Sequence, residues 1–290
     1  MGGKKENGEV LSPSKLAWIG FKKHRLGIVG SIMVIILILV SLFSNLVAPY
    51  DPLVMNPKDS LRAPCAKYWL GTDRFGRDQL SRLIYGTRIS MLISFGAIAI
   101  AIVIGVVVGL ISGYYGGLLD NVIMRWLDIL FAFPLILLAL MLVAVLGPSL
   151  KNLLITIGFL YHSRFARVVR GSVLAIKEKE FIEGIRSVGA RDISIILFFI
   201  LPNVLSPIIV QATFNLSTAI MVEAALSFLG LGTQPPMPSW GLMLNDSRRF
   251  MELAPWLAVF PGLAIIFAVL GFNLMGDALR DALDPRLSQR

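Results

Sequence analysis

Long stretches without a charged residue constrain the fold of this chain more than any other feature. The longest, Ile193–Val222, contains thirty residues and no charge. A helix of about 20 apolar residues is long enough to cross the hydrocarbon core of a bilayer, which is about 30 Å thick. The chain is 56% hydrophobic and only 16% charged, whereas soluble domains are about 25% charged. These features predict an all-α polytopic membrane protein.

Five stretches have the length of a membrane span: Leu26–Val47, Ile89–Gly113, Val122–Leu146, Ile193–Val222 and Leu253–Met275. The first is longer than the apolar part of a signal peptide, which has about 7–15 residues, so we expect an uncleaved helix. The third contains Arg125 and Asp128. It qualifies as a span if these two residues lie at its inner end and pair at the i, i+3 spacing.

A sixth span is predicted over Leu153–Gly171, although only its first part is free of charge. Arg164, Arg167 and Arg170 recur every three residues, so they follow one side of a helix. Arginines near a helix end can extend their head groups to the membrane interface. We therefore expect six transmembrane helices in all, with the basic end of the fourth helix in the cytoplasm.

The orientation follows from counting spans away from a cytoplasmic loop at 171–195. This count places both termini inside, as the positive-inside rule favours for basic ends. The basic residues at the two ends are Lys4, Lys5, Lys15, Lys22, Lys23, Arg25, Arg280, Arg286 and Arg290. The outer loop Ala48–Arg88 carries seven basic residues of its own, so the charge rule supports this orientation only in part.

Charge and motif content argue against several classes of function. The net charge of +9 comes without an RNA-binding signature, so nucleic acid is not an expected partner. The stretch Gly71–Asp78 has the glycine spacing of a phosphate-binding loop, but Arg77 and Asp78 stand where that loop needs lysine and a hydroxyl residue. We expect a turn there that leads into an amphipathic helix. His24 and His162 lie far apart in sequence, so we expect neither catalytic residues nor a metal site.

Small and polar residues within the spans predict close helix packing and a polar face. Gly105, Gly109 and Gly113 recur every four residues, a spacing that lets helix backbones approach closely in lipid. Three polar residues lie in the fifth span: Gln211, Asn215 and Glu223. They either line a translocation path or form hydrogen bonds with a neighbouring helix.

The stretch that precedes the fifth span has the pattern of a lever. Residues Glu178–Val188 predict a short amphipathic helix, and Gly189 permits a turn that a residue with a Cβ atom resists. Asp192 is in position to cap the next helix, and Leu201-Pro202 to kink or restart it. An ordinary connecting loop is the alternative interpretation.

Four sequence blocks resemble one known family. Glu183, Gly189 and Leu201-Pro202 resemble the "EAA–G–LP" cytoplasmic loop of ABC importer permeases, although Gly184 and Ile185 replace the usual alanines. The other three blocks are "GTDRFGRDQLSRLIYGTRIS", "EAALSFLGLGTQPPMPSWG" and "FNLMGDALRDALDPRL". Together they resemble the C-type permease subunit of the dipeptide/oligopeptide family, which includes nickel and glutathione importers.

The resemblance implies a type I ABC importer permease fold and a set of partners. These partners are a B-type permease, two cytoplasmic ATPase subunits that bind ATP and Mg²⁺, an extracytoplasmic binding protein, and membrane lipid. The chain itself would bind no cofactor and would not be an enzyme. The ATPase-coupling residues implied by the resemblance are Glu183, Gly184, Ile185, Arg186, Gly189, Ala190, Leu201 and Pro202.

The expected organisation has three parts in a multi-pass protein of the cell membrane. Residues 1–88 hold a cytoplasmic tail, the first helix and an outer loop. Residues 89–280 hold the permease core with five helices and the coupling loop 171–195, and 281–290 form a second cytoplasmic tail. Trp240 and Pro238, in the outer loop Ser227–Glu252, are expected either to contact the binding protein or to form a re-entrant plug.

Three alternatives are considered at this point, of which a membrane-anchored scaffold is disfavoured because it would not need glycine-rich helices with polar faces. A nickel or glutathione importer has the same architecture, because its specificity can reside in the binding protein. A stand-alone channel or a secondary carrier would be expected to carry paired acids within its spans or inverted repeats, and neither is evident.

Overall fold

The computed structural model describes residues 5–6, 9–10, 18–22 and 24–283. Two short strands, Lys5–Glu6 and Glu9–Val10, pair antiparallel, and residues 18–22 form a helical turn. Five of the basic residues used to predict the orientation lie outside these ranges: Lys4, Lys15, Lys23, Arg286 and Arg290.

Helices dominate the remainder. Within residues 24–283 the main helices are α1 (Arg25–Leu42), α2 (Gln79–Tyr115), α3 (Gly117–Phe131), α4 (Leu135–Leu146), α5 (Leu150–Lys177), α6 (Glu180–Ser187), α7 (Leu201–Phe228), α8 (Trp240–Ser247) and α9 (Trp256–Leu283). Shorter helical pieces are Ser44–Val47, Pro57–Asp59 (3₁₀), Asp192–Ser194 and Ile195–Ile200 (π), the last of which runs directly into α7. The predicted all-α class is confirmed.

Four helical segments of the described chain are long and apolar enough to cross a membrane: α1, α2, Asp192–Phe228 and α9. Helices α3 and α4 meet that condition only as a pair, and they are bent by 90° at the break between them. The stretch predicted as a span, Val122–Leu146, is therefore broken and not one continuous helix. The cause is Pro134, which has no N–H group and disfavours the helical conformation at the residue before it.

Helix α5 is longer than the predicted span Leu153–Gly171. It is one continuous helix of 28 residues, about 42 Å long, but it is not among the apolar spans of the described chain. Thirteen of its residues are buried in the bundle, so much of its surface faces other helices rather than lipid.

The glycine ladder explains why α5 packs so closely against α2. A Cβ atom added at Gly105 would lie 2.5 Å from the carbonyl oxygen of His162, and one at Gly109 would lie 2.6 Å from that of Ala166. A Cβ at Gly113 would lie 2.8 Å from Val173 Cβ. These distances are shorter than van der Waals contact, so only glycine fits, and the predicted close approach is confirmed.

Candidate functional site

The short helix α6 presents one side to the bundle and the other to its surroundings. Ile182 is only 1% exposed and Ile185 is half-buried, whereas Phe181 and Val188 are exposed, the latter by 82%. The helix is shorter than the predicted Glu178–Val188, but it has the predicted amphipathic character. Glu183 and Gly184 lie on its exposed side.

A tight turn follows α6, as predicted. Gly189 has a φ of 82°, in the left-handed region that favours glycine. The backbone N–H of Gly189 donates to the Arg186 carbonyl at 3.0 Å, and that of Ala190 donates to the Ile185 carbonyl at 3.4 Å. These bonds satisfy carbonyl groups at the end of the helix and fix the direction of the chain that leaves it.

Asp192 does not have the role predicted for it. It is the first residue of its helical piece, and Arg191 is in the capping position. The Asp192 carboxylate instead accepts a hydrogen bond from the Tyr114 hydroxyl at 2.5 Å. The Arg186 Nη2 group donates to the same hydroxyl at 3.3 Å. Sequence reasoning missed Tyr114, because the stretch "YYGG" that contains it indicates only a turn.

Pro202 lies in the first turn of α7, where the π-helical segment Ile195–Ile200 changes to α-helix. Proline cannot donate the hydrogen bond that continues a regular α-helix, and a π-helical turn accommodates the change. The side-chain amide of Asn203 donates to the Phe199 carbonyl at 2.6 Å. The predicted restart at Leu201-Pro202 is confirmed, within one uninterrupted span.

Two of the three arginines of α5 form ion pairs with α3. Arg170 contacts both carboxylate oxygens of Asp120, at 2.5 and 2.6 Å. Arg167 contacts Asp128 at 2.8 Å. The predicted pairing of Asp128 with Arg125 is therefore wrong, because the partner comes from a neighbouring helix rather than from the same one.

The three polar residues predicted to line a path or contact a neighbouring helix occupy different environments. Gln211 is half-buried and lines a groove of about 460 Å³, together with Ser206 and Arg280. Asn215 and Glu223 are buried within the subunit. Glu223 is 0% exposed and accepts a hydrogen bond from Ser227 at 2.8 Å. In this conformation only Gln211 of the three faces open space.

Trp240 and Pro238 are both buried. The expectation that these two side chains contact a binding protein at the surface is therefore wrong for this conformation. The indole N–H of Trp240 donates to the Leu83 carbonyl at 3.3 Å. A Cβ atom at Gly86 would lie 3.1 Å from the indole ring. The indole thus anchors α8 against α2, a placement that agrees with the plug alternative.

The loop before α2 is held by an ionic cluster. The carboxylate of Asp59 accepts hydrogen bonds from Lys67, Tyr68 and Arg62, and the first two contribute most to lowering its pKa from 3.8 to about 2. The side chain of Asp78 accepts from the Ser81 N–H at 2.8 Å and caps α2. The prediction of a turn that leads into a helix is confirmed.

Comparisons with known proteins match nearly the whole chain. Residues 105–289 match the family described as the inner membrane component of binding-protein-dependent transport systems. Residues 12–64 match the N-terminal transmembrane domain of oligopeptide transport permease C.

Several curated relatives are similar over more than nine tenths of their length. The dipeptide transport system permease protein DppC of Alkalihalophilus pseudofirmus is 48% identical over 278 residues, which cover 96% of this chain and 91% of that protein. The glutathione transport system permease protein GsiD of Escherichia coli O6:K15:H31 is 46% identical over 280 residues, 96% of this chain and 92% of that one. A chain of the MetNI methionine ABC transporter, solved in inward-facing conformations, has a similar fold, with a TM-score of 0.55 and 20% identity over 70% of this chain and 96% of that one.

Proposed function

The chain belongs to the family of binding-protein-dependent inner membrane permeases, in its C-type dipeptide/oligopeptide branch, and from this premise we propose how it takes part in peptide import. It is a multi-pass protein of the cytoplasmic membrane and a permease subunit of a peptide ABC importer. With a B-type permease it forms the path for di- and oligopeptides that an extracytoplasmic binding protein delivers.

One observation carries this proposal: a short amphipathic helix is anchored to the bundle on one side and exposed on the other. Ile182 holds α6 to the bundle, while Phe181 and Val188 are available to a partner. An apolar surface that projects from the loop between two spans suits insertion into a cleft of a second protein. We assign the ATPase subunit as that partner and α6 as the coupling helix.

The energy for transport comes from outside this chain. Two ATPase subunits bind ATP and Mg²⁺, and their closure moves α6. Changing an inward-open to outward-open ratio from 1:99 to 99:1 requires about 5.5 kcal/mol of differential binding. An exposed single contact is too weak for this, whereas a docked helix with the exposed Phe181 and Val188 as apolar contacts can contribute much of it.

We assign six membrane spans with both termini in the cytoplasm. The bent pair α3–α4 is one span. Helix α5 completes the set of six, and it is the fourth span along the chain. Helix α5 tolerates Arg167 and Arg170 because each pairs with an acidic residue of α3, which lowers the cost of a charge near the membrane. In this arrangement residues 1–88 provide the tail, first span and outer loop, residues 89–280 form the core with the coupling loop 171–195, and 281–290 form the inner tail.

The outer surface that meets the binding protein comprises exposed parts of the loops 48–88 and 227–252. Trp69 is 71% exposed, and Tyr50 and Met237 are also exposed. The buried Trp240 lies beneath this surface and holds α8 in place. Gln211 and the groove beside it form part of the inner path.

Reconstitution of the complete importer tests the proposed function. Liposomes that contain this chain, its B-type partner and both ATPases are supplied with binding protein, ATP and a labelled dipeptide. We expect peptide accumulation that requires ATP and the binding protein, and ATP hydrolysis that peptide-loaded binding protein stimulates. Accumulation by this chain alone would contradict the assignment.

Glutathione is the second candidate substrate, because relatives named as glutathione permeases are 46% identical over 96% of this chain. Glutathione is itself a tripeptide, so the same path can admit it. Competition of unlabelled glutathione against a labelled dipeptide, with the cognate binding protein present, separates the two. Uptake of glutathione without uptake of dipeptides would assign the importer to the second class.

A further inference from the structure

The hydroxyl group of Tyr114 connects three elements at the inner end of the bundle. Tyr114 is the penultimate residue of α2, and its side chain is buried. Its hydroxyl donates to the Asp192 carboxylate at 2.5 Å and accepts from the Arg186 guanidinium at 3.3 Å. The guanidinium also lies 5.6 Å from the centre of the Tyr114 ring. The side chain of Tyr114 therefore connects α2 to α6 and to the start of the segment that leads into α7.

These two contacts lie on opposite sides of the Gly189 turn. Arg186 precedes Gly189 by three residues on α6, and Asp192 follows it by three. Gly189 is exposed, has a φ of 82°, and has open space around its Cβ position within the described residues. Two backbone hydrogen bonds set the direction of the chain at this turn, but glycine has wide backbone freedom, so a force on α6 can still rotate it about Gly189. The Tyr114 hydroxyl adds a contact on each side of the turn, and these two contacts resist that rotation.

The chemistry of the contact suits this role. A tyrosine hydroxyl is both a donor and an acceptor, so it can serve Asp192 and Arg186 at once. Both partners are ionised groups, and hydrogen bonds to ionised groups are roughly twice as strong as neutral ones. Phenylalanine at this position would keep the ring beneath Arg186 and lose both hydrogen bonds.

A second contact ties α5 to the same point. The Lys177 ammonium group, at the end of α5, donates to the Gly113 carbonyl at 3.0 Å. At the opposite end of α2, the Leu83 carbonyl accepts from Trp240 of α8. Helix α2 has 37 residues and is about 55 Å long, so one continuous helix links the proposed coupling helix α6 to α8.

We propose that Tyr114 is a positioning residue of the transport cycle, which makes α6, the start of α7 and the inner end of α2 move as one body. A displacement of α6 by the ATPase then passes through α2 to α8 instead of being lost as rotation about Gly189. This inference rests on the proposed function, and it adds the residue through which the coupling helix acts.

The variant Tyr114→Phe in the complete reconstituted importer tests the inference. We expect the number of peptides imported per ATP hydrolysed to fall at least about tenfold, because two hydrogen bonds to charged groups are lost and the loss of one corresponds to about that factor. ATP hydrolysis in the absence of peptide should stay at the wild-type rate, and the assembled complex should form in wild-type yield. A purely structural role would lower the yield and leave the transport ratio unchanged, and that result would overturn the proposal.

Tyr115→Phe is the matched control, because Tyr115 is the neighbouring residue and its side chain is exposed. It should retain the wild-type transport ratio. If the wild-type importer moves peptide with ATP and Tyr114→Phe does so with the same ratio, this inference falls and the proposed function stands. If the wild-type importer does not move peptide with ATP, both fall.

A distance measurement tests the one-body motion without altering Tyr114. Spin labels are placed at Tyr115→Cys in α2 and Ser187→Cys at the end of α6, in a Cys65→Ser background. We expect the label-to-label distance to change by less than about 5 Å, one helical turn, between the ATP-free and vanadate-trapped importer. A larger change would show that α6 swings independently of α2, and would overturn the proposal.

Discussion

Single glycines set how closely α2 and α5 approach each other. A Cβ atom at Gly109 would lie 2.6 Å from the Ala166 carbonyl oxygen and 2.8 Å from Val169 Cβ. We expect Gly109→Ala to destabilise the chain by about 1–3 kcal/mol, because the two helices must separate to admit the methyl group. Thermal unfolding of the purified protein in detergent measures this. Gly171→Ala on α5 is the control, since its Cβ would meet no other described atom within 4 Å, and equal stability of the two variants would contradict the argument.

The two charge pairs between α3 and α5 differ in burial, so their contributions to the stability of the fold should differ as well. Asp120 is buried and contacts Arg170 through both oxygens, whereas Asp128 and Arg167 are both about half exposed. Asp120→Asn should cost about 1.5–3 kcal/mol, because it weakens a bidentate charge-assisted contact. Asp128→Asn should cost less than about 1 kcal/mol. Detergent-unfolding midpoints of the two variants test the order, and the reverse order would refute it.

Acid should release the loop that Asp59 holds. The pKa of Asp59 is lowered from 3.8 to about 2, first by its hydrogen bond with Lys67 and then by that with Tyr68. The ionised form is therefore favoured in the folded loop. This stabilisation is complete above the pKa that Asp59 has in the unfolded chain, 3.8, and it is lost as the pH falls through the folded value of about 2. A fluorophore on Cys65, the single cysteine, should report a change over that range, and Asp59→Asn should abolish the change.

At the scale of elements, the sequence predicts those features that local chemistry determines. Ile193–Val222 lies within a span because length and apolarity are properties of the run itself. Gly189 forms the predicted turn with a φ of 82°. The break at Pro134 was missed because the apolar average over Val122–Leu146 outweighs one proline. A proline in such a run allows either a mild kink or a full bend, and neighbouring helices decide between them.

Contacts distant in sequence explain the other errors at the candidate site. Arg170 pairs with Asp120, which is 50 residues away in sequence, and Trp240 donates to the carbonyl of Leu83, which is 157 residues away. An isolated pattern of arginines indicates an interfacial helix, and an isolated tryptophan after prolines indicates an exposed loop. Both expectations change once a neighbouring helix supplies a carboxylate or a carbonyl group. Tyr114 was missed for the same reason.

If α6 is the coupling helix, as we propose, transport should be sensitive to changes in it that leave the bundle intact. Glu183 is exposed on α6, and Gly189 adopts a positive φ that proline cannot adopt. Glu183→Arg and Gly189→Pro should each lower peptide uptake and peptide-stimulated ATP hydrolysis by about tenfold or more, while the chain still inserts into the membrane. Uptake assays at matched expression measure this, with Gly171→Ala as a control outside the coupling helix. Wild-type uptake by both variants would exclude the assigned role of α6.

At the scale of the whole molecule, the two ends of α2 lie at the faces that we propose to be inner and outer. Tyr114 at one end contacts the coupling loop, and Leu83 near the other end contacts the buried indole of α8. The regions on which the ATPase and the binding protein are proposed to act are therefore linked through one helix. Helix α5 packs along α2 through the glycine ladder. We therefore expect movement at the Tyr114 end of α2 to reach α8 without a change in the helix–helix contact between α2 and α5.

The span assigned to α5 is the part of the proposed topology that most needs a direct test. Helix α5 crosses the membrane only if its two ends lie on opposite sides. Lys151 is exposed near the start of α5, and Gly184 is exposed on α6 just beyond its end. In a Cys65→Ser background, we expect Lys151→Cys to react with a membrane-impermeant maleimide in intact spheroplasts. Gly184→Cys should react only after permeabilisation, and its reaction should slow when the ATPase subunits are present, because α6 then lies in their cleft.

Trp69→Cys serves as the outer control, since its position in the loop before α2 is exposed. Labelling of both Lys151→Cys and Gly184→Cys from the same side would show that α5 does not cross, and labelling of Gly184→Cys in intact spheroplasts would invert the proposed orientation of the whole molecule.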